Sequence, residues 1–176
     1  MKKKNIKSTI ARAAVYSRTL ARVKHYRGAG VHSPFVYGVI RNAMMKTTPE
    51  GDNHPLFDEL RRRGFSRRRA SQLQNLYTFL EYASAPFAER EEQLPTLDAS
   101  TLCFVMPTLP DSATEELAAK AEGTGCTLCV VSPYNSRARH KLARSLIAAH
   151  RHTSVDNRGF LLLFFNPRLP KQHFKL

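Results

Sequence analysis

The sequence predicts an α/β fold: a mainly parallel sheet of about four strands, flanked by helices and preceded by an N-terminal helical region. Three observations carry that prediction. Leu102–Met106, Leu128–Val131 and Phe160–Phe165 are apolar at every position, and short runs without alternation suit strands buried on both faces. One amphipathic stretch separates the first run from the second, and another separates the second from the third. Strands alternating with helices of this length form βαβ units with right-handed crossovers.

Taken in order, residues 5–27 place Ile6, Ile10, Ala13, Ala14, Leu20 and Val23 at near-helical spacing among bases. A basic amphipathic helix is expected there, broken by Gly28 and Gly30. Ser33 is a good N-cap and Pro34 suits the first helical position, so a second helix should run from there to about Met45. The capping role also accounts for Ser33 beside His32, and no catalytic role is assigned to that pair. Thr47–His54 is a loop, and 56–60 is helical. A further helix is expected over 70–82, with Leu73, Leu76, Tyr77 and Leu80 inward. Residues 84–100 form a linker containing Pro and Glu. After the first strand, Asp111–Glu122 has an Asp-Ser start, acids in its first turn and Gly123 as a stop. In Ser136–His150 the spacing sets Ala138, Leu142, Leu146 and Ile147 on one stripe, with Arg137, Arg139, Lys141 and Arg144 on the other. Asp156-Asn157-Arg158-Gly159 is turn chemistry, so a short strand at 153–155 should fold back antiparallel onto 160–165. This divides the chain into a basic helical arm (1–50), a helical segment with linker (51–100) and a βαβαββ unit (101–176).

The net charge of +14 is unevenly spread. Residues 1–49 hold eleven Lys/Arg and no acid, residues 50–100 seven bases and nine acids, and residues 101–176 ten bases and five acids. A basic arm on a more balanced body fits an anionic partner such as RNA, DNA or a membrane surface, or simply a soluble basic protein. The most concentrated charge is Arg61, Arg62, Arg63, Arg67, Arg68 and Arg69 around Gly64 and Phe65. Guanidinium clusters grip phosphates, and Phe65 is placed to stack on a base. The alternative is a solvated loop and helix start, partly paired with Glu89, Glu91 and Glu92.

No run of about 18 apolar residues and no secretory leader pattern is present, and a cytoplasmic location is expected. Of three cysteines, Cys126 and Cys129 imitate a C-x-x-C motif. In a strand, positions i and i+3 face opposite ways, so they are expected to be separate, reduced thiols. No His/Cys/Asp/Glu spacing fits zinc, and no nucleophile motif is present.

Lys24-His25-Tyr26-Arg27-Gly28-Ala29-Gly30-Val31-His32-Ser33-Pro34-Phe35-Val36 resembles the N-terminal segment of a group of class I S-adenosylmethionine-dependent methyltransferases found in Bacteroidetes. Gly159–Phe165 followed by Leu169-Pro170-Lys171-Gln172-His173-Phe174 resembles the same group's last strand and tail. The resemblance covers roughly residues 24–45 and 101–176 and implies a truncated Rossmann-like sheet, equivalent to that fold's fourth strand onward. Members hold S-adenosylmethionine on a Gly-rich loop after their first strand, with an acid ending the second. This chain has no such loop. At its strand ends it carries Met106-Pro107-Thr108 and Ser132-Pro133-Tyr134, where the family carries aspartates. The resemblance therefore implies a relative without cofactor, without catalytic residues and without methyl transfer, acting by binding. An active enzyme with an atypical or partner-completed site and a nucleic-acid-binding module are the alternatives. Tyr134 and Asn135, at a strand's carboxyl end, are the candidates for residual ligand contact. Loss of strands one to three would leave Thr101–Met106 as an apolar edge. That edge is expected to be covered by the N-terminal helices or by a second copy in a homodimer.

Overall fold

The computed structural model describes residues 31–50 and 53–176. The helix expected over 5–27 lies outside them. Among the described residues there are five α-helices and one six-stranded mixed sheet.

Helix α1 (Pro34–Val39) starts as its sequence dictates, with Pro34 in the first turn and the Ser33 hydroxyl accepting from the Val36 amide at 3.4 Å. It continues into a π-helical turn, Ile40–Met44. Helices α2 (Pro55–Arg62) and α3 (Arg67–Phe79) follow, joined by a turn at Gly64, whose φ of +84° is glycine territory. Ser66 caps α3 by accepting from the Arg69 amide, so this helix begins three residues earlier than expected and takes the second arginine triplet into its first turn.

Next come β1 (Phe87–Ala88), β2 (Leu102–Val105), α4 (Asp111–Ala121), β3 (Thr127–Val131), α5 (Arg137–Ala149), β4 (Thr153–Asp156), β5 (Phe160–Phe164) and β6 (Gln172–Lys175). The sheet order is β1-β2-β3-β5-β4-β6. Pairs β1–β2, β2–β3 and β4–β6 are parallel, and β5 runs antiparallel to both its neighbours. The hairpin expected over 153–165 is present, with Asp156 Oδ1 accepting from the Arg158 amide to shape the turn.

Two expectations are corrected. Six strands form instead of about four, because the linker contributes β1 and the tail contributes β6. The β2 edge is covered by β1, and neither the N-terminal helices nor a second copy is needed for it. The amides of Leu102, Phe104 and Met106 donate to the carbonyls of Ser84, Pro86 and Ala88 at 3.0, 2.8 and 3.0 Å. A short stretch bounded by Pro86 suffices, since proline is tolerated on an edge. With its ladder positions filled, β2 gives no ground for a homodimer through that edge.

Each face of the sheet has its own core. On one face α1, α2 and α3 bury Val36, Leu60, Leu73 and Leu76 against Phe104, Leu162 and Phe164. On the other α4 and α5 bury Leu117, Leu142 and Leu146 against Cys103, Val105, Leu161 and Leu163. Cys126 and Cys129 fall on opposite faces, as the strand period requires.

Helix α3 is enclosed nearly all round in its middle, and there its polar residues become fasteners. Gln72 Nε2 donates to the Met44 carbonyl at 2.5 Å, and Gln74 Oε1 accepts from the Phe57 amide at 3.0 Å. Asn75 accepts from the Glu50 amide and donates to the Thr48 carbonyl, both at 2.9 Å. Backbone groups at Met44, Thr48, Glu50 and Phe57 thereby find side-chain partners, that of Met44 being buried.

Candidate functional site at the carboxyl end of the sheet

In an open α/β sheet ligands lie beyond the carboxyl ends of the strands. Here that end gathers the segments after β1 (Glu89–Gln93), β2 (Met106–Pro110), β3 (Ser132–Ser136) and β4 (Asn157–Gly159). The start of α3 reaches the same end, because the Arg69 side chain lies across Gly159, where a Cβ would overlap its guanidinium.

The two arginine triplets meet different fates. In the first, Arg62 pairs with Glu59 at 2.6 Å, Arg63 pairs with both Glu59 and Glu89, and Arg61 donates to the Phe65 carbonyl. Of the acids expected to pair there, Glu89 does so. In the second triplet, Arg67, Arg68 and Arg69 are exposed and form no ion pair among the described residues. They occupy the first turn of α3, where the helix dipole disfavours positive charge. An anionic group at this turn would relieve that conflict. Arg90 and Arg137 add exposed charge at the same end. Phe65 is not available to a base: it is buried and packs edge-on to Phe104 with ring centroids 6.5 Å apart.

Tyr134 and Asn135 do sit at the carboxyl end of β3. The Tyr134 ring is 39% exposed, but its hydroxyl donates to Asp156 Oδ2, a carboxylate only 1% exposed. The Asn135 amide closes a turn onto the Ser132 carbonyl at 3.2 Å. Sequence reasoning missed Asp156 as the buried acid of this edge, since turn chemistry already explained it.

The residues after β1 bear on the cofactor that the sequence resemblance implies. Glu89-Arg90-Glu91-Glu92-Gln93 includes no glycine and closes into a single 3₁₀ turn. Phe87, Glu89, Arg90 and Gln93 line a depression of about 280 Å³, small beside the ~300–1,000 Å³ usual for ligand pockets. Close backbone approach to a cofactor after the first strand needs glycine, which this segment lacks, so these residues do not fit S-adenosylmethionine. Among the described residues no group of three or more His, Cys, Asp or Glu could hold a metal ion. No described helix is long and apolar enough to cross a membrane.

The largest departure from the sequence reading is Arg139. Assigned to the polar stripe of α5, it is instead 5% exposed, while Ala138 is exposed. Its Nη2 donates to the Val131 carbonyl at 3.2 Å, but Nε and Nη1 are buried without a hydrogen-bond partner. Burial pulls the guanidinium below its usual pKa, opposed by Asp111, whose Oδ1 stands 3.9 Å from Nη1. The sequence did hold a signal, for Arg139, Leu142, Ala143 and Leu146 follow the i, i+3, i+4, i+7 pattern of a buried stripe.

Searches against protein-family models, curated proteins and solved structures find no match to this chain.

Proposed function

We propose that this chain is a methyltransferase-related α/β protein that does not transfer methyl groups, and that it acts by binding a polyanion such as RNA, through its phosphates, at the carboxyl end of its sheet. The observation that carries this reading is the second triplet, which has no ion pair among the described residues. Where a cofactor-binding relative would present glycines and acids, this edge presents Arg67, Arg68 and Arg69, with Arg90 and Arg137 nearby. The order of β2, β3, β5 and β4, with the antiparallel β5 between β3 and β4, supports the methyltransferase relation. An arginine face without a stacking aromatic suits phosphates rather than base edges, so binding should be electrostatic and tolerant of sequence.

Two titrations of the full chain test the proposal. Calorimetry with S-adenosylmethionine and S-adenosylhomocysteine should give no heat up to millimolar ligand, and micromolar binding of either would overturn the non-catalytic reading. A fluorescent single-stranded RNA should bind at low salt and dissociate steeply as salt rises. Absence of binding at low salt would overturn the polyanion reading.

A further inference from the structure

We propose that the junction between the β2–α4 and β3–α5 connections is a receptor for a single oxyanion, a carboxylate or a phosphate group, held by Arg139. The site is built on Arg139 and does not depend on the polyanion reading.

The first observation is the guanidinium itself. A fully ionised side chain 95% removed from solvent, by its 5% exposure, normally has its donors taken up, because an uncompensated buried charge is among the costliest features a fold can carry. Here one hydrogen bond, to the Val131 carbonyl, is made, and Nε and Nη1 have no hydrogen-bond partner. The second observation is where Nη1 points. It faces the start of α4, an eleven-residue helix whose N-cap is Pro110, a residue with no side chain able to accept from the first-turn amides. By contrast α5 is capped, Ser136 Oγ accepting from the Arg139 amide at 3.1 Å. A buried cation and an uncapped helix start thus face each other, and both call for negative charge.

Asp111 supplies that charge only in part. It is the first residue of α4, its side chain is 47% exposed, and at 3.9 Å its carboxylate is beyond hydrogen-bond range of Nη1. Its carboxylate already lies on the side of Nη1 that an oxyanion would approach. Being on an exposed helix end, it is free to swing outward. A ligand oxyanion would then accept from Nη1 on one side and from the α4 first-turn amides on the other. Asp111 is accordingly a competitor for the site.

The test is calorimetric titration of the full chain with inorganic phosphate and, separately, with acetate, at constant ionic strength held with chloride. One saturable site is expected for at least one of them, and which one it is assigns the ligand class. Asp111→Asn should tighten binding roughly fivefold, the scale of a half-exposed charge contact. Arg139→Met should abolish it; its ion-pair partner Asp111 is half exposed, so the change leaves no uncompensated buried charge and this variant should fold. Arg139→Lys, which keeps the charge, should retain weak binding. Neutralising Arg67, Arg68 and Arg69 together should leave the small-anion site unchanged, which separates it from the RNA face. Absence of saturable binding in both the parent and Asp111→Asn would overturn the proposal, as would binding by Arg139→Met equal to the parent's.

Discussion

The short strand β1 should be the part of the fold that keeps β2 from pairing with other molecules, and Phe87→Ala examines this directly. Phe87 is partly buried, stacks on Phe104 with centroids 4.9 Å apart and planes 17° apart, and carries the Arg63 guanidinium 3.9 Å above its ring. Truncating a fully buried Phe costs about 3–5 kcal/mol, so a partly buried one should cost roughly 2. Loss of the aromatic pair adds about 1 kcal/mol and loss of the cation–π interaction about 0.5. The expected total is about 3.5 kcal/mol in urea unfolding, a large share of the ~5–15 kcal/mol that holds a domain of this kind together. Stability is half of the expectation. With its anchor gone, β1 should fray from β2 and uncover the amides of Leu102, Phe104 and Met106 on an all-apolar strand. Sedimentation velocity should therefore show concentration-dependent association beyond that of the parent. A loss below about 1 kcal/mol, or a variant no more associated than the parent, would refute the reasoning that β1 is an anchored edge cover.

Neutralising Arg67, Arg68 and Arg69 should lower the slope of log K against log salt for RNA by roughly one for each phosphate they neutralise, and an unchanged slope would clear them of that role. Gln72→Leu should cost about 1–3 kcal/mol in urea unfolding, because the Met44 carbonyl and the Asn157 side chain at 3.3 Å both lose a partner. The three cysteines, all 0% exposed and with the Cys103 thiol pushed up to about 12 by burial, should resist alkylation in the native state and react together on unfolding. Burial holds His150 and His173 below the usual histidine range, so below about pH 6.5 the unfolded chain takes up protons before the folded one does. Stability should be full above that value and fall as pH drops through the depressed values; a melting temperature flat from pH 7 to pH 5 would contradict the assignment.

What was legible in the sequence follows from how local its cause is. The strands β2, β3 and β5 announce themselves because burial on both faces leaves no polar position. Ser33-Pro34 and the 156–159 turn are equally local, since caps and turns are satisfied within a few residues. Strand β1 was not legible. Two residues have no period, and Phe87-Ala88 becomes a strand only because β2 offers it a ladder. The buried amides of α3 were hidden for a related reason. Gln72, Gln74 and Asn75 look like a solvent face until the 44–57 connection folds over them, and their partners lie 17 to 28 residues away. Arg139 misled through its charge. Its spacing belonged to the core stripe and its chemistry to the surface, and spacing won.

That conflict bears on what the fold now does. Local disagreement between residue type and environment concentrates where a protein works on something else, because a fold optimised for stability alone would remove it. Two such disagreements stand at the carboxyl end of this sheet: three arginines in the first turn of α3, and a guanidinium buried without a full set of acceptors at the start of α5. Each would be relieved by negative charge that the described residues do not provide. The opposite end of the sheet differs in kind: His150 Nδ1, just before β4, is also buried without a partner among the described residues, but burial lowers that ring's pKa and so favours its neutral form, which calls for no anion. Unmet positive charge thus collects at the end where an open α/β sheet places its ligands, and an anionic ligand is the simplest way to meet it.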